Sequence, residues 1–446
     1  MEAAVQEIDT LINARWIVPI EPAGAVLDEH ALAIDGDRIV ALLPQGEAKA
    51  RYRARTVHHL PDHALLPGLV NAHSHVAMTL LRGYADDLPL MTWLSEHIWP
   101  AEGRHVSADF VRDGSRLGFA EMLRGGVTCV NDMYFFPEVT AEVATELGLR
   151  VTVGAPLIDF PSAYASSPEE YQSKALALHD AYRDHPLVQI ALAPHAPYTV
   201  SDRGLEWVRK TAEERGLRIH MHIHETADEI ERAVAEDGRR PLARLEALGL
   251  LSPALIGIHL TQLTTAETAL LAERGVHAVH CPHSNLKLAS GFCPVHALRQ
   301  AGVNVAIGTD GAASNNGLDL FAELRTAALL AKAVAGDAAA VPAQAALEMA
   351  TINGARALGL DDHIGSLKPG KAADVIAVDL SGLESAPVYN PLSQLVYSGD
   401  RSRVSAVWIA GRQLLRAGQF TELEAGELLG NARRWRDKIV PSSTTA

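Results

Sequence analysis

Cysteine is scarce. The three cysteines of this 446-residue chain, Cys129, Cys281 and Cys293, are odd in number and include no Cys-x-x-Cys pair. That argues against a disulfide framework and a thiolate metal site, and makes a reducing cytoplasm the simplest compartment. Positive charge is also short: 39 Lys and Arg stand against 54 Asp and Glu, a formal net charge of -15. No basic cluster offsets this balance, which repels phosphate backbones and anionic membrane surfaces, so nucleic acid and membranes are excluded as partners and small or neutral ligands fit better. Long apolar runs are missing as well, none reaching the roughly 18 residues that span a bilayer. Residues 1–7 are acidic where a signal peptide would be basic, so a soluble, untargeted protein is expected.

What is present is ordinary globular composition, 48% hydrophobic and 21% charged, in a chain long enough for one large barrel with an attachment. Its middle repeats one unit, a short β-branched run ending in polar residues followed by an Ala/Leu/Glu/Arg-rich helical stretch. Eight strands are predicted at 65–72, 127–132, 150–158, 189–194, 218–224, 255–259, 277–281 and 304–309, with helices such as 202–215, 264–274 and 318–335 between them. This alternation predicts a (β/α)8 TIM-like barrel over 65–365, with catalytic groups at the C-terminal strand ends. The flanks, 1–64 and 366–446, read as strands and hairpins, including an Asp35-Gly36 turn, and are expected to join in one small β-sandwich domain. Residues 441–446 are expected to fray.

Polar residues recur where the predicted strands end. In a strand, residues i and i+2 share a face, so His73 and His75 of His73-Ser74-His75 can offer two imidazoles to one cation. A lone pair of this kind is weak, but His259 and Asp310 occupy corresponding positions on other strands. The run Arg218-Ile219-His220-Met221-His222-Ile223-His224-Glu225 puts three histidines on one face, and spacing alone does not choose among them. His222 is taken as the ligand, Glu225 as a proton shuttle and His220 as a packed histidine. Each of these residues also has a bland reading: a core histidine bonded to a carbonyl, or an aspartate capping the next helix.

Taken together, Pro67-Gly68-Leu69-Val70-Asn71-Ala72-His73-Ser74-His75, His222-x-x-Glu225, Gly308-Thr309-Asp310-Gly311-Ala312-Ala313-Ser314 and Gly365-Ser366-Leu367-x-Pro369-Gly370-Lys371-x-Ala373-Asp374 resemble the amidohydrolase superfamily, in particular the 5-methylthioadenosine/S-adenosylhomocysteine deaminases. The resemblance runs from about residue 8 to residue 435. It implies that His73, His75, His222 and Asp310 bind one divalent metal ion per subunit, zinc being expected, and that His259 hydrogen-bonds the attacking water. Strand four ends in Ala193-Pro194-His195 and carries no lysine that could bridge a second metal. Glu225 and Asp310 become the proton carriers for hydrolytic deamination at C6 of an adenine nucleoside, giving an inosine-type product and ammonia. Glu102 is implied to accept hydrogen bonds from ribose hydroxyls, His195 to contact the base or sugar, and Trp93 and Ser314 to line the pocket. A homo-oligomer is expected.

One departure bears on specificity. Relatives that take S-adenosylhomocysteine can use arginines in and after strand three for its carboxylate, and here the stretch 151–161 has none beyond Arg150 at its start. Methylthioadenosine or adenosine is therefore the expected substrate. Guanine deamination or s-triazine dechlorination would reuse most of the same residues but leave Glu102 without a ribose. A non-catalytic barrel would not need the four ligands and the acid/base pair together, and a phosphoester hydrolase would want basic residues that these segments lack.

Overall fold

The computed structural model describes residues 5–440. The expectation of fraying at 441–446 lies outside them, as do the first four residues of the acidic N-terminus. Among the described residues no helix is long and apolar enough to cross a membrane.

Eight parallel strands follow one another around a barrel: β5 (Leu69–Ser74), β6 (Val127–Met133), β7 (Arg150–Leu157), β8 (Val188–Pro194), β9 (Arg218–Ile223), β10 (Leu255–His259), β11 (His277–His280) and β12 (Val305–Ile307). Every residue of β5, β6, β7, β10 and β12 is buried, as a parallel sheet with both faces covered requires. The connecting helices follow from local chemistry. Asp202–Arg215 starts on a Ser201 cap and ends at left-handed Gly216, and Thr265–Arg274 starts on a Thr264/Glu267 capping box and ends at Gly275. The barrel closes where Thr309 and Asp310 N–H groups both donate to the His73 carbonyl at 3.1 Å.

A separate eight-stranded sheet comes from both chain ends. It contains β1 (Gln6–Ile17), β2 (Leu27–Asp35), β3 (Arg38–Pro44), β4 (Tyr52–Pro67), β13 (Val375–Asp379), β14 (Val404–Ile409), β15 (Arg412–Arg416) and β16 (Gln419–Phe420), in the order β16-β15-β14-β13-β4-β1-β2-β3. The predicted strand at 65–72 is thus divided. Residues through Pro67 pair with β13 in this second sheet, and the barrel strand begins only at Leu69. Gly68 makes the crossing, with no room for a side chain, since a Cβ there would lie 2.0 Å from Thr128 Oγ1. The hairpin turn also shifts by one residue: Asp35 pairs with Arg38, so the two loop residues are Gly36 and Asp37.

A buried ion pair ties the two sheets. Arg150, at the start of β7, donates through Nε and Nη2 to both oxygens of Asp374 at 2.9 and 3.1 Å, and Asp374 also accepts from the Ala410 N–H at 2.8 Å. Their side chains are only 10% and 2% exposed, and removing one partner of such a pair leaves an uncompensated charge. Asp374→Ala is accordingly expected to cost about 3–5 kcal/mol of unfolding free energy in a denaturant titration. A loss below about 1 kcal/mol would show that the two sheets are held by packing alone.

Candidate metal centre and cleft

The strand-end histidines converge. One ligand atom each from His73, His75, His222 and Asp310 lies within 4.8 Å of every other, and three of the four residues are buried. Asp310 Oδ1 is 3.2 Å from His73 Nε2 and 3.3 Å from His75 Nε2, while His222 Nε2 faces His73 Nε2 at 3.3 Å. Imidazole nitrogens this close repel through their lone pairs unless a proton or cation lies between them. Three imidazoles and a carboxylate around one point suit a tetrahedral zinc-type site.

Each ring is turned by the contact on its other nitrogen. His75 Nδ1–H donates to the Met133 carbonyl at 2.5 Å and His222 Nδ1–H to the His195 carbonyl at 2.8 Å, leaving both Nε2 atoms aimed at the centre. His73 Nδ1 lies 2.9 Å from His220 Nε2, so His220, expected to be a packed histidine, fixes the orientation of a candidate ligand. His224, which the alternating pattern put on the same face, is turned away. Its φ of +54° ends β9, and its Nε2 accepts from the Leu242 N–H at 3.2 Å. Asp310 and His259 take φ of +60° and +73°, strained values for side-chain-bearing residues that tend to occur at functional sites. Gly308 is needed here too, because a Cβ would sit 2.8 Å from the His73 backbone nitrogen.

Burial and neighbours set the charges. Burial pushes His73 down to about 4. It opposes the positive form of His75 as well, but the hydrogen bond and charge of Asp310 and the Met133 carbonyl outweigh it and raise His75 to about 9. Burial alone would raise Asp310, yet its hydrogen bonds to His73 and His75 hold it well below the carboxylate range. Burial raises Glu225, with the His259 charge pulling the other way, and its Oε1 lies 3.8 Å from His259 Nε2. Glu102 is lifted by burial to about 7 against a hydrogen bond from Tyr134 Oη at 2.7 Å. His195 falls to about 4 through burial, which leaves it neutral.

One cleft joins these groups: His75, Trp93, Glu102, His195, His222, Glu225, His259, Asp310 and Ser314 all line it. Trp93 is 5% exposed and its indole N–H is committed to the Ala85 carbonyl at 3.1 Å, so the ring forms wall. Ser314 lines the cleft but its Oγ also donates to Asp310 Oδ2 at 2.9 Å, giving it a structural partner besides any ligand. Tyr134, Ser284 and Asn285 are residues that reading the sequence missed. Ser284 Oγ donates to Asp310 Oδ2 at 2.6 Å, and Asn285 Oδ1 lies 2.8 Å from His259 Nδ1. For Ser284 and Asn285 a signal was available, since His280-Cys281-Pro282-His283-Ser284-Asn285 is another polar cluster at the end of an apolar strand.

Comparison with known proteins adds kinship to this geometry. Residues 64–414 match the model of the amidohydrolase family. A protein of Teredinibacter turnerae named 5-methylthioadenosine/S-adenosylhomocysteine deaminase is 52% identical over 432 residues, covering 97% of this chain and 98% of the relative. The crystal structure of an adenosine deaminase from Xanthomonas campestris with bound zinc superposes with a TM-score of 0.97 at 55% identity, covering 98% and 99% of the two chains. Atrazine chlorohydrolase from Arthrobacter aurescens, at 24% identity over 96% of this chain and 100% of its own, shares the fold with a TM-score of 0.90.

The raised His75 has a measurable consequence. Below about 9 its ring is protonated, and a cation must displace that proton, so affinity for a divalent ion rises with pH. Chelator-stripped protein titrated with Zn2+ between pH 6 and 8 is expected to gain about tenfold in affinity per pH unit. A flat profile would show that no histidine proton is displaced.

Proposed function

The chain belongs to the amidohydrolase family, and from that premise we propose that it hydrolyses the C6 amino group of an adenine nucleoside, with 5′-methylthioadenosine favoured and adenosine and S-adenosylhomocysteine also accepted. One observation carries the reading: three donors of the four-residue cation cradle, His75, His222 and Asp310, line one cleft together with Glu102 and the carboxyl of Glu225, which stands outside that cradle. Near full-length identity to a deaminase of methylthioadenosine and S-adenosylhomocysteine supports it.

In this reading His73, His75, His222 and Asp310 hold one Zn2+. When bound, the ion supplies hydroxide from water near neutral pH. Burial raises Glu225 above the ordinary carboxyl range, which suits it to give a proton to the ring nitrogen beside C6 and so make that carbon electrophilic. The water oxygen bonds to C6, Asp310 takes one water proton and gives it to the departing nitrogen, the C6–N bond breaks to release ammonia, and the remaining hydroxyl proton is lost as the carbonyl forms, offsetting the one Glu225 gave to the ring. His259, held by Asn285, steadies the attacking oxygen by a hydrogen bond. Glu102 receives the ribose hydroxyls, and His195, neutral because buried, meets the base or sugar. Trp93 and Ser314 complete the wall.

The proposal extends to organisation. Residues 65–365 form the hydrolase unit and 1–64 with 366–446 the second unit, in a cytoplasmic homo-oligomer. Three unpaired, buried cysteines suit that compartment.

Two experiments test the assignments. Glu225→Gln is expected to retain zinc and lose at least about a hundredfold in kcat, whereas His222→Ala is expected to lose both zinc and turnover. Unaltered activity in either variant would overturn the role given to that residue. At the far end of the substrate, Arg150 is committed to Asp374, so strand three offers no cation to a carboxylate tail. An unpaired tail forgoes a charge-assisted hydrogen bond of about 1.5–3 kcal/mol, so kcat/KM for methylthioadenosine is expected to exceed that for S-adenosylhomocysteine by about tenfold or more. Equal turnover of the two would contradict this.

A further inference from the structure

Glu323 is fully buried in the helix Leu320–Ala335 and does not line the cleft, yet it is wired to the residues that do. A buried carboxylate is unfavourable unless hydrogen-bond donors surround it. Three do. Its Oε1 accepts from Asn315 Nδ2 at 2.6 Å and lies 3.0 Å from His283 Nδ1, and its Oε2 accepts from the His283 backbone N–H at 3.1 Å. The other ring nitrogen of His283 reaches Thr326 Oγ1, one turn further along the same helix, at 2.7 Å.

Capping does not explain this carboxylate. The helix N-terminus is already served by Asp319, whose side chain accepts from the Phe321 and Ala322 N–H groups. The partners of Glu323 instead lie on two short helices, Pro282–Lys287 after β11 and Ala312–Asn315 after β12. Immediately after His283 come Ser284, which donates to Asp310 Oδ2, and Asn285, which meets His259 Nδ1. Asn315 also donates to the Thr309 carbonyl at 2.7 Å, next to Asp310, and its neighbour Ser314 donates to Asp310 Oδ2. One carboxylate therefore stands a single residue away from both hydroxyls on Asp310 Oδ2 and two residues from the amide on His259.

We infer that Glu323 is a positioning residue: through His283 and Asn315 it fixes the two short helices whose Ser284, Ser314 and Asn285 aim Asp310 at the cation and His259 at the reacting oxygen. The inference rests on the zinc-dependent reading above and deepens it. Contacts of this kind behind a metal ligand typically change metal affinity by about 10- to 100-fold. In Glu323→Gln an amide N–H points at donors where an oxygen had accepted from them, so the two short helices lose their common anchor without a change in side-chain size.

The test is the rate at which zinc is lost to a chelator, measured for wild type, Glu323→Gln, Ser284→Ala and the double variant, with thermal unfolding of each zinc-free protein alongside. Glu323→Gln and Ser284→Ala are each expected to release zinc about tenfold faster, and the double variant to stay within about threefold of the faster single one because both act through the same contact. Independent, multiplying effects, or a lower melting temperature with unaltered release, would overturn the inference. His283→Gln, at a partly exposed position, runs the same cycle should Glu323→Gln not fold. Wild-type protein that takes up no zinc would overturn the underlying reading and this one with it, whereas zinc uptake with normal release from Glu323→Gln overturns this one alone.

Discussion

Three imidazole nitrogens and one carboxylate oxygen converge within 4.8 Å of one another, almost wholly out of water. Such a convergence is unfavourable unless positive charge lies among the donors, because lone pairs repel at the 3.3 Å that separates His222 from His73 and burial penalises the carboxylate. Holding it open is the demand that the surrounding structure meets. A second contact on each ring, Met133 carbonyl to His75, His195 carbonyl to His222 and His220 to His73, keeps the coordinating edges inward. Ser284, Ser314 and the Gly311 N–H do the same for Asp310.

Strained backbone occurs where this demand is greatest. Left-handed backbone at His224, His259 and Asp310 marks three strand ends of the barrel, and in each case it redirects a side chain that regular strand geometry would send elsewhere. At His224 the turn removes a third histidine from the centre, and at Asp310 it brings a carboxylate across the closing seam to β5. The seam tolerates this because Gly308 has no side chain to strike His73. The second sheet is tied to the start of β7 by the Arg150–Asp374 pair.

Much of this was legible in the sequence because it is local. The alternation of short apolar runs with helical stretches gave seven of the eight barrel strands within a few residues, and the spacing of His73-Ser74-His75 puts two imidazoles on one face. The choice among His220, His222 and His224 was not legible, since it depends on a backbone torsion at His224 and on which carbonyl each Nδ1 finds. The split of the run 65–72 at Gly68 depends on Thr128, about sixty residues away, and so left no local trace. Glu323 escaped for the same reason, since it meets His283 across 40 residues, whereas Ser284 and Asn285 stood in a polar cluster whose partners, Asp310 and His259, only the fold brings to it.

Chemistry at C6 of an adenine nucleoside, supported by one cation, is the claim on which the assigned roles depend. Its most direct test is to incubate the purified protein with methylthioadenosine, adenosine, S-adenosylhomocysteine, guanine and an s-triazine. Loss of ring absorbance and ammonia release would be followed while the bound metal is counted in the same sample. The account predicts about one zinc per chain, together with ammonia release from the adenine nucleosides and from neither guanine nor the triazine. Protein with bound zinc that releases ammonia from guanine but not from any nucleoside, or protein with neither metal nor ammonia release, would contradict it.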